Sequence, residues 1–553
     1  MFKALFRRKT DFPTASESQM SRVLGLRDLT FFGIAAIIGG GIFSSVGRAC
    51  SEGGPGVIWL FLICAIACGF AALCYAEFAA RIPVSGSAYT YAYASFGELF
   101  AWIIGWALIM EYSIGNIYIA FSWSGYVTHM LDAFHIHLPR WLTVDYRTAS
   151  RLFSEFSQIS ILNPDQRDAL EAWNTAPKIG DLRLIFDAPA VLINILITIL
   201  VYRGIKESKQ ISNVMVLLKL IIIIAVILVG TFYIDIENYT PFNPSGMKGI
   251  MAGVSAVFFT YIGFDAVSTL AEESKNPERD LPKGMFYSLL ICTVLYILIS
   301  LVLTGMVPFG LLNVDDPLAF ALQYKGVHWL EYIVGASAII AMTGVLLVFQ
   351  MGQPRIWMSM SRDGLLPQKF ASIHPRFKTP GFSTIMTGFV VGLPIFFTDE
   401  AFVLDFTSIG TIFAFVLVCG GVLLLPQRKI GEGKGFRLWY INGKWLFLLI
   451  CILAVLLCVY FIPEYFKEIL NGGEDVMYVI SHRILWICLI TLSAFTFKNN
   501  WNLIPLLGVA ICLYLLTGMT LDNWKWFGIW FLIGFLIYMF YGRRKSKLNE
   551  AKG

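Results

Sequence analysis

The sequence is that of an all-α polytopic membrane protein, and three observations say so. Of its 553 residues, 57% are hydrophobic and only 14% charged, where soluble domains hold nearer a quarter charged residues. The apolar residues gather into stretches of about 20, the length a helix needs to cross a hydrocarbon core of about 30 Å. Lys and Arg favour alternate linkers, the bias that marks a cytoplasmic side.

Fourteen stretches qualify as transmembrane helices: 29–50, 57–81, 98–130, 188–204, 211–234, 249–271, 283–307, 329–352, 381–397, 401–425, 444–462, 478–497, 501–519 and 523–541. With the N-terminus in the cytoplasm, the inner segments carry Arg7, Arg8, Lys9, Arg203, Lys206, Lys209, Arg376, Lys378, Arg428, Arg543, Arg544 and Lys545. The short outer loops carry only Arg48, Lys248, Lys325, Lys467, Arg483 and Lys525. A miscounted helix would scramble this asymmetry, so both ends are expected in the cytoplasm. The chain then divides into a tail (1–28), five helices (29–234), five more (249–425), four additional helices (444–541) and a second tail (542–553). The long loop 131–187 is expected outside, as short surface helices capping the outer mouth. No cleaved signal peptide is read at the basic, polar N-terminus.

Several classes drop out. The net charge of +5 is spread along the chain and indicates no nucleic acid. Most cysteines, Cys64, Cys68, Cys292, Cys451 and Cys488 among them, fall inside apolar runs, so free thiols are expected. His135 and His137 lack a third ligand, so no metal is expected. No cofactor motif or catalytic signature such as HExxH or a phosphate-cradling loop occurs.

Two spans carry a mid-membrane interruption. The first contains Gly39, Gly40 and Gly41, and each glycine costs roughly 1 kcal/mol against alanine in a helix. The sixth contains Phe259-Thr-Tyr-Ile-Gly263-Phe-Asp265. Broken backbone at that depth is tolerated only where protein or a polar cavity surrounds it. The interrupted helices head two successive groups of five. Five is odd, so the second group is inverted, and the pattern predicts a 5+5 inverted-repeat transporter core. A half-helix starting at a break offers N–H groups to a carboxylate. One ending at a break offers carbonyls to an ammonium. Together they fit an α-amino acid zwitterion. Glu111, Lys219 and Asp265 lie deep in the third, fifth and sixth spans, where a charge costs at least about 2.5 kcal/mol. Glu111 and Lys219 are candidates for proton exchange. Asp265 reads equally as a structural hydrogen-bonding residue.

These residues resemble the amino acid–polyamine–organocation (APC) superfamily, more narrowly the cationic amino acid transporter (CAT) family. The likeness covers about residues 20–430. It rests on Gly39-Gly-Gly41-Ile-Phe43, on Tyr75 to Tyr89, on Gly105 to Tyr112, on Phe259 to Asp265 with Asn276-Pro277 and Asp280-Leu-Pro282, and on Gly352 to Pro367. The resemblance implies a LeuT-like fold of ten core helices. It implies Gly40 and Gly41 N–H groups on the substrate carboxylate, with Ile37 and Gly39 nearby. It implies the carbonyls of Phe259, Thr260 and Ile262 on the ammonium, and the Phe259 ring as a gate. Lys219 would reach carbonyls of the first span, and Glu111 would belong to a proton-sensitive network. Asn116, Met342, Thr343 and Leu346 are the side-chain subsite candidates. Members of this family often carry Ser or Thr where Gly40 stands, so carboxylate binding here would rest on backbone alone.

The expected function is secondary active amino acid transport by alternating access, with proton-coupled uptake, in the plasma membrane. The partners are an amino acid, a proton and the lipid bilayer. The last four spans are left for a small accessory subunit or a dimer partner. The alternatives are an amino acid or polyamine exchanger and, from another class, a nutrient sensor on a transporter fold.

Overall fold

The computed structural model describes residues 7, 24–81, 87–155, 164–204, 209–244, 246–377, 379–425, 436–461, 465–472 and 476–550. Most of the 1–28 tail, residues 82–86 of the second motif, the basic residues Arg8, Lys9, Lys206, Lys378 and Arg428, and 551–553 of the second tail lie outside them.

The first span is two pieces. α1 (Leu26–Ile37) opens with the Asp28 carboxylate on the Gly25 N–H at 2.9 Å, a capping contact. It stops at Ile38, which turns extended (φ −80°, ψ 96°). Helix resumes as a π turn (Gly41–Ser45) and α2 (Val46–Gly53). Next come α3 (Val57–Arg81), the short α4 (Ser87–Ser95) and the long α5 (Glu98–Ala133). The following loop holds α6 (Tyr146–Glu155), α7 (Pro164–Thr175) and a two-rung hairpin of β1 (Lys178–Ile179) with β2 (Leu182–Arg183). α8 (Ala188–Arg203) and α9 (Lys209–Thr231) complete this part.

The sixth span is also divided. α10 (Gly246–Ala252) and α11 (Val254–Phe259) lead to Gly263, beyond which the chain runs as a 3-10 helix, Phe264–Glu273. α12 (Pro277–Met306), α13 (Pro317–Tyr324), α14 (His328–Arg362), α15 (Gly381–Gly392) and α16 (Glu400–Leu424) follow. The last group is α17 (Gly443–Phe461), α18 (Tyr465–Asn471), α19 (Val476–Asn499), α20 (Leu503–Leu516) and α21 (Leu521–Ile537). Side-chain caps set the start of several helices: Asp187, Asp399, Asn502 and Thr520 accept N–H groups of Ala190, Phe402, Ile504 and Asn523, satisfying donors that a helix start leaves open.

Among the described residues, nine helical stretches are long and apolar enough to cross a membrane, and four shorter apolar helices, Ala188–Arg203, Val254–Ser268, Gly381–Phe396 and Leu503–Leu516, accompany them. The chain is an integral membrane protein. Burial grades outward from the centre. In its most apolar stretch α5 is 89% buried, whereas α17 is 11% buried. α17 turns Trp445, Leu449, Leu453 and Leu456 outward, as a lipid-facing helix does. At the centre α3 packs on α12 and α5 packs on α14 and α16. Arg7 donates to Leu548 O at 2.9 Å, so residues near both chain ends meet at one end of the bundle. The α6–α7 loop caps the opposite end, where Arg147 pairs with Asp399 and Asp165 takes the Asp315 N–H.

Candidate functional site

The two divided spans lie against each other, and glycines set the contact. A Cβ at Gly41 would stand 2.7 Å from Thr260 Cα, and one at Gly263 would stand 2.9 Å from the Ala36 carbonyl. Both obstacles are backbone, which no rotamer change relieves. Gly263 also adopts φ +113°, a conformation that favours glycine. Gly39 and Gly40 are shielded by Val345 and by Tyr118 with Ile119, respectively. The ends are tied as well, since Lys275 N–H bonds Leu24 O at 2.9 Å. Gly33 lets α1 approach Ser288 of α12 and Val267 of the sixth span, both through side chains.

The breaks release backbone polar groups. The first bond of the resumed helix runs from Phe43 N–H to Gly39 O at 3.2 Å, and the Gly40, Gly41 and Ile42 N–H groups precede it. On the carbonyl side, Lys219 Nζ donates to Ile38 O at 2.9 Å and Ala35 O at 3.4 Å. Among the described residues its hydrogen bonds go to carbonyls and none to a carboxylate. The Tyr296 hydroxyl faces two more carbonyls, Thr260 O at 2.7 Å and Ile37 O at 3.1 Å. Thr260 O is thus occupied in this conformation.

The remaining residues singled out above fall around this crossing. The Phe259 ring is buried against Tyr118, edge to face, with centroids 4.5 Å apart. Ile262, Met342 and Leu346 are buried. Asn116 is fully buried, and among the described residues neither its amide oxygen nor its nitrogen has a hydrogen-bond partner. It lies one turn from both Tyr112 and Ile119 on α5. Thr343 is committed elsewhere: its hydroxyl donates to Ile339 O and accepts from Trp123 Nε1. Glu111, buried, lies beside the Thr411 hydroxyl and close to Asp265. Asp265 takes backbone N–H groups at Gly263 and Ala266, while its Oδ2 has no partner among the described residues. The two carboxyls therefore form one group, and Lys219 stands apart from it at the other break.

Sequence reasoning missed the closure on the α6–α7 side. The Tyr118 hydroxyl donates to Ser44 Oγ at 3.0 Å, and Ser44 and Ser122 donate to Glu400 Oε1 at 3.1 and 2.9 Å. Arg48 of α2 pairs with Asp405 of α16 at 3.1 Å and with Glu52 at 3.0 Å. Burial, reinforced by Asp165 and Glu400, pushes the Asp315 carboxyl well above the usual range, and it shares a hydrogen bond with Glu400. The available signal was the spacing Glu111, Tyr118, Ser122 and Tyr126, a helical stripe, together with Tyr296 inside an apolar run, since a buried tyrosine hydroxyl seeks an acceptor.

Residues 24–492 match the amino acid permease family model, and residues 503–546 match a model of the C-terminus of AA_permease. The chain belongs to the amino acid permease family. It is 36% identical to the branched-chain amino acid permease BcaP of Bacillus subtilis (strain 168), over 97% of this chain and 96% of that protein. It is 35% identical to a methylthioribose transporter of the same organism, over 99% and 100%. It is 33% identical to the vacuolar cationic amino acid transporter 4 of Arabidopsis thaliana, over 96% and 94%. The permease is thus a transporter of the APC, CAT-like group and not an enzyme.

Proposed function

We propose that this permease is a secondary active amino acid transporter that works by alternating access and couples uptake to protons. The carrying observation is the crossing of two broken spans with the Lys219 ammonium held on Ile38 O at 2.9 Å. A cation at that carbonyl fixes the break. Loss of its proton frees the carbonyl and loosens the first span, which links protonation to gate movement. The N–H groups of Gly40 and Gly41 would take the carboxylate. The carbonyls of Phe259 and Ile262 would take the ammonium, joined by Thr260 O once Tyr296 turns away. Phe259 would close over the ligand, and Glu111 with Asp265 would pass protons beneath it.

The reading includes a 5+5 inverted repeat with fourteen spans. Four pairs of helices five apart in order are neighbours: the first lies on the sixth, α3 on α12, α5 on α14 and α8 on α15. Two inverted halves joined about a central two-fold axis bring equivalent helices together in this way. The side chains against Gly39 and Gly40 include the apolar Val345 and Ile119, and Met342 and Leu346 are buried on the same helix as Val345. These side chains suit a neutral aliphatic amino acid, in keeping with the branched-chain relative. The plasma membrane with cytoplasmic termini is the proposed location, and the exposed faces of α17, α19 and α21 remain for lipid, an accessory subunit or a second copy.

The methylthioribose relative supports a second reading, since that protein matches nearly as well and apolar side chains lie against Gly39 and Gly40. Proteoliposome uptake of labelled leucine, competed with the common amino acids and with methylthioribose at two pH values, separates the two. The expected outcome is competition by branched-chain amino acids, greater accumulation with an inward proton gradient, and loss of that accumulation in Lys219→Ala. Normal proton-driven uptake in Lys219→Ala would overturn the coupling role.

A further inference from the structure

The end of the bundle that carries the tails is closed around two carboxylates, Glu98 and Asp363. Glu98, at the start of α5, is fully buried and accepts three hydroxyls. Tyr538 donates to Oε1 at 3.0 Å, while Tyr93 and Ser546 donate to Oε2 at 3.3 and 2.5 Å. Ser546 lies beyond the last span, yet it is only 1% exposed. Its neighbours are also seated. The Lys547 N–H bonds Asp363 O at 3.1 Å, and Leu548 O accepts from Arg7, whose own carbonyl accepts the Glu98 N–H at 3.0 Å. Gly364 has no space for a Cβ because the Lys545 carbonyl lies on it.

The same two anchors hold α4. Tyr93 reaches Glu98, and the Tyr89 hydroxyl donates to the Asp363 carboxylate at 2.8 Å. Between them Tyr91 faces Ser268 of the sixth span and meets the Tyr75 ring, which meets Phe264. α4 thus lies against the 3-10 half of the divided sixth span. Chain termini are ordinarily poorly ordered unless tied down. A tail seated on a buried carboxylate keeps that carboxylate dry, and an undocked tail lets water in and removes one of its three donors. The basic run Arg543 to Lys545, by itself, reads as an ordinary membrane-flanking charge cluster; the seating of Ser546 is what that reading leaves unexplained.

We propose that residues 543–550 form a strap that, through Glu98 and Asp363, holds α4 against the sixth span and slows opening of the tail-bearing end, with Glu98 as the positioning residue. This rests on the alternating-access reading, but its test does not require transport. Amide hydrogen exchange of the full chain in lipid nanodiscs reads the segments 87–95, 264–273 and 543–550. Ser546→Ala removes about one net hydrogen bond and is expected to speed exchange about fivefold in all three segments. Ser546→Glu sets a like charge on Glu98 and is expected to exceed that. Tyr93→Phe cuts the link but spares the strap, so 87–95 and 264–273 speed up while 543–550 stays protected. Lys219→Ala, which is expected to remove proton-driven uptake, is expected to leave these differences intact, which separates failure of the strap from failure of the transport reading. Unchanged exchange at 87–95 and 264–273 in both Ser546→Glu and Tyr93→Phe overturns the proposal.

Discussion

At Gly263 one residue fixes the site. Its φ of +113° and the Ala36 carbonyl 2.9 Å from a would-be Cβ are separate constraints. A left-handed conformation costs an L-residue roughly 1–2 kcal/mol, and the clash with main chain adds to it. Gly263→Ala is expected to lower the thermal midpoint in detergent and to abolish uptake. Adding Ala36→Gly removes the Cβ at 3.0 Å but is not expected to restore either, because the backbone carbonyl at 2.9 Å remains. Restored uptake in that double variant would contradict the close crossing of the two spans. Tyr296 works at the same scale. A seventh-span hydroxyl shared by Ile37 O and Thr260 O satisfies carbonyls of both breaks at once, and buried carbonyls left open cost about 1–3 kcal/mol each.

At the scale of elements, the α6–α7 loop is docked by carboxyls that favour their protonated form. Burial pushes Asp187 up to about 8, outweighing the Ser124 hydroxyl and the Ala190 N–H that favour its ionised form. Burial likewise pushes Asp145 and Asp168 up to about 6. A carboxyl raised above its unfolded value contributes stability that is present at low pH and lost as pH rises through the folded value. The loop is therefore expected to hold more tightly at pH 6.5 than at 8.5. Hydrogen exchange across 164–187, corrected for its intrinsic pH dependence, is expected to be faster at the higher pH. Asp187→Asn keeps the cap on α8 and is expected to remove most of that difference; an unaltered difference assigns the effect elsewhere.

Across the whole molecule, two sets of polar contacts close opposite ends of the bundle, and the breaks sit between them. One end is held by Ser44, Arg48, Glu400 and Asp405, joining α2 to α16. The other is held by Glu98 and Asp363. Under the proposed alternating-access reading, one gate opens while the other stays shut, and the crossing of the first and sixth spans would be the moving joint. Arg48→Ala leaves Asp405 and Glu52 without their cation, and removing one partner of a partly buried pair is strongly destabilising to that contact. The α2–α16 closure is expected to loosen, with faster exchange in 46–53 and a lower KM for ligand added on the α6–α7 side. A KM and exchange equal to those of the parent protein would show that this pair does not hold the gate.

The sequence by itself determined the membrane class, the order of apolar spans, the two interruptions and the family, because hydropathy and glycine placement are local properties that a bilayer reads directly. It also singled out Glu111, Lys219 and Asp265, since an ionisable residue in an apolar run is visible without coordinates. What only the tertiary structure decided is who meets whom. Lys219 goes to carbonyls and Glu111 to the neighbourhood of Asp265, Thr343 is taken by Trp123, and Ser546 sits on Glu98 from across the chain. Those pairings depend on which helices lie side by side, a matter of long-range packing that no window of the sequence contains.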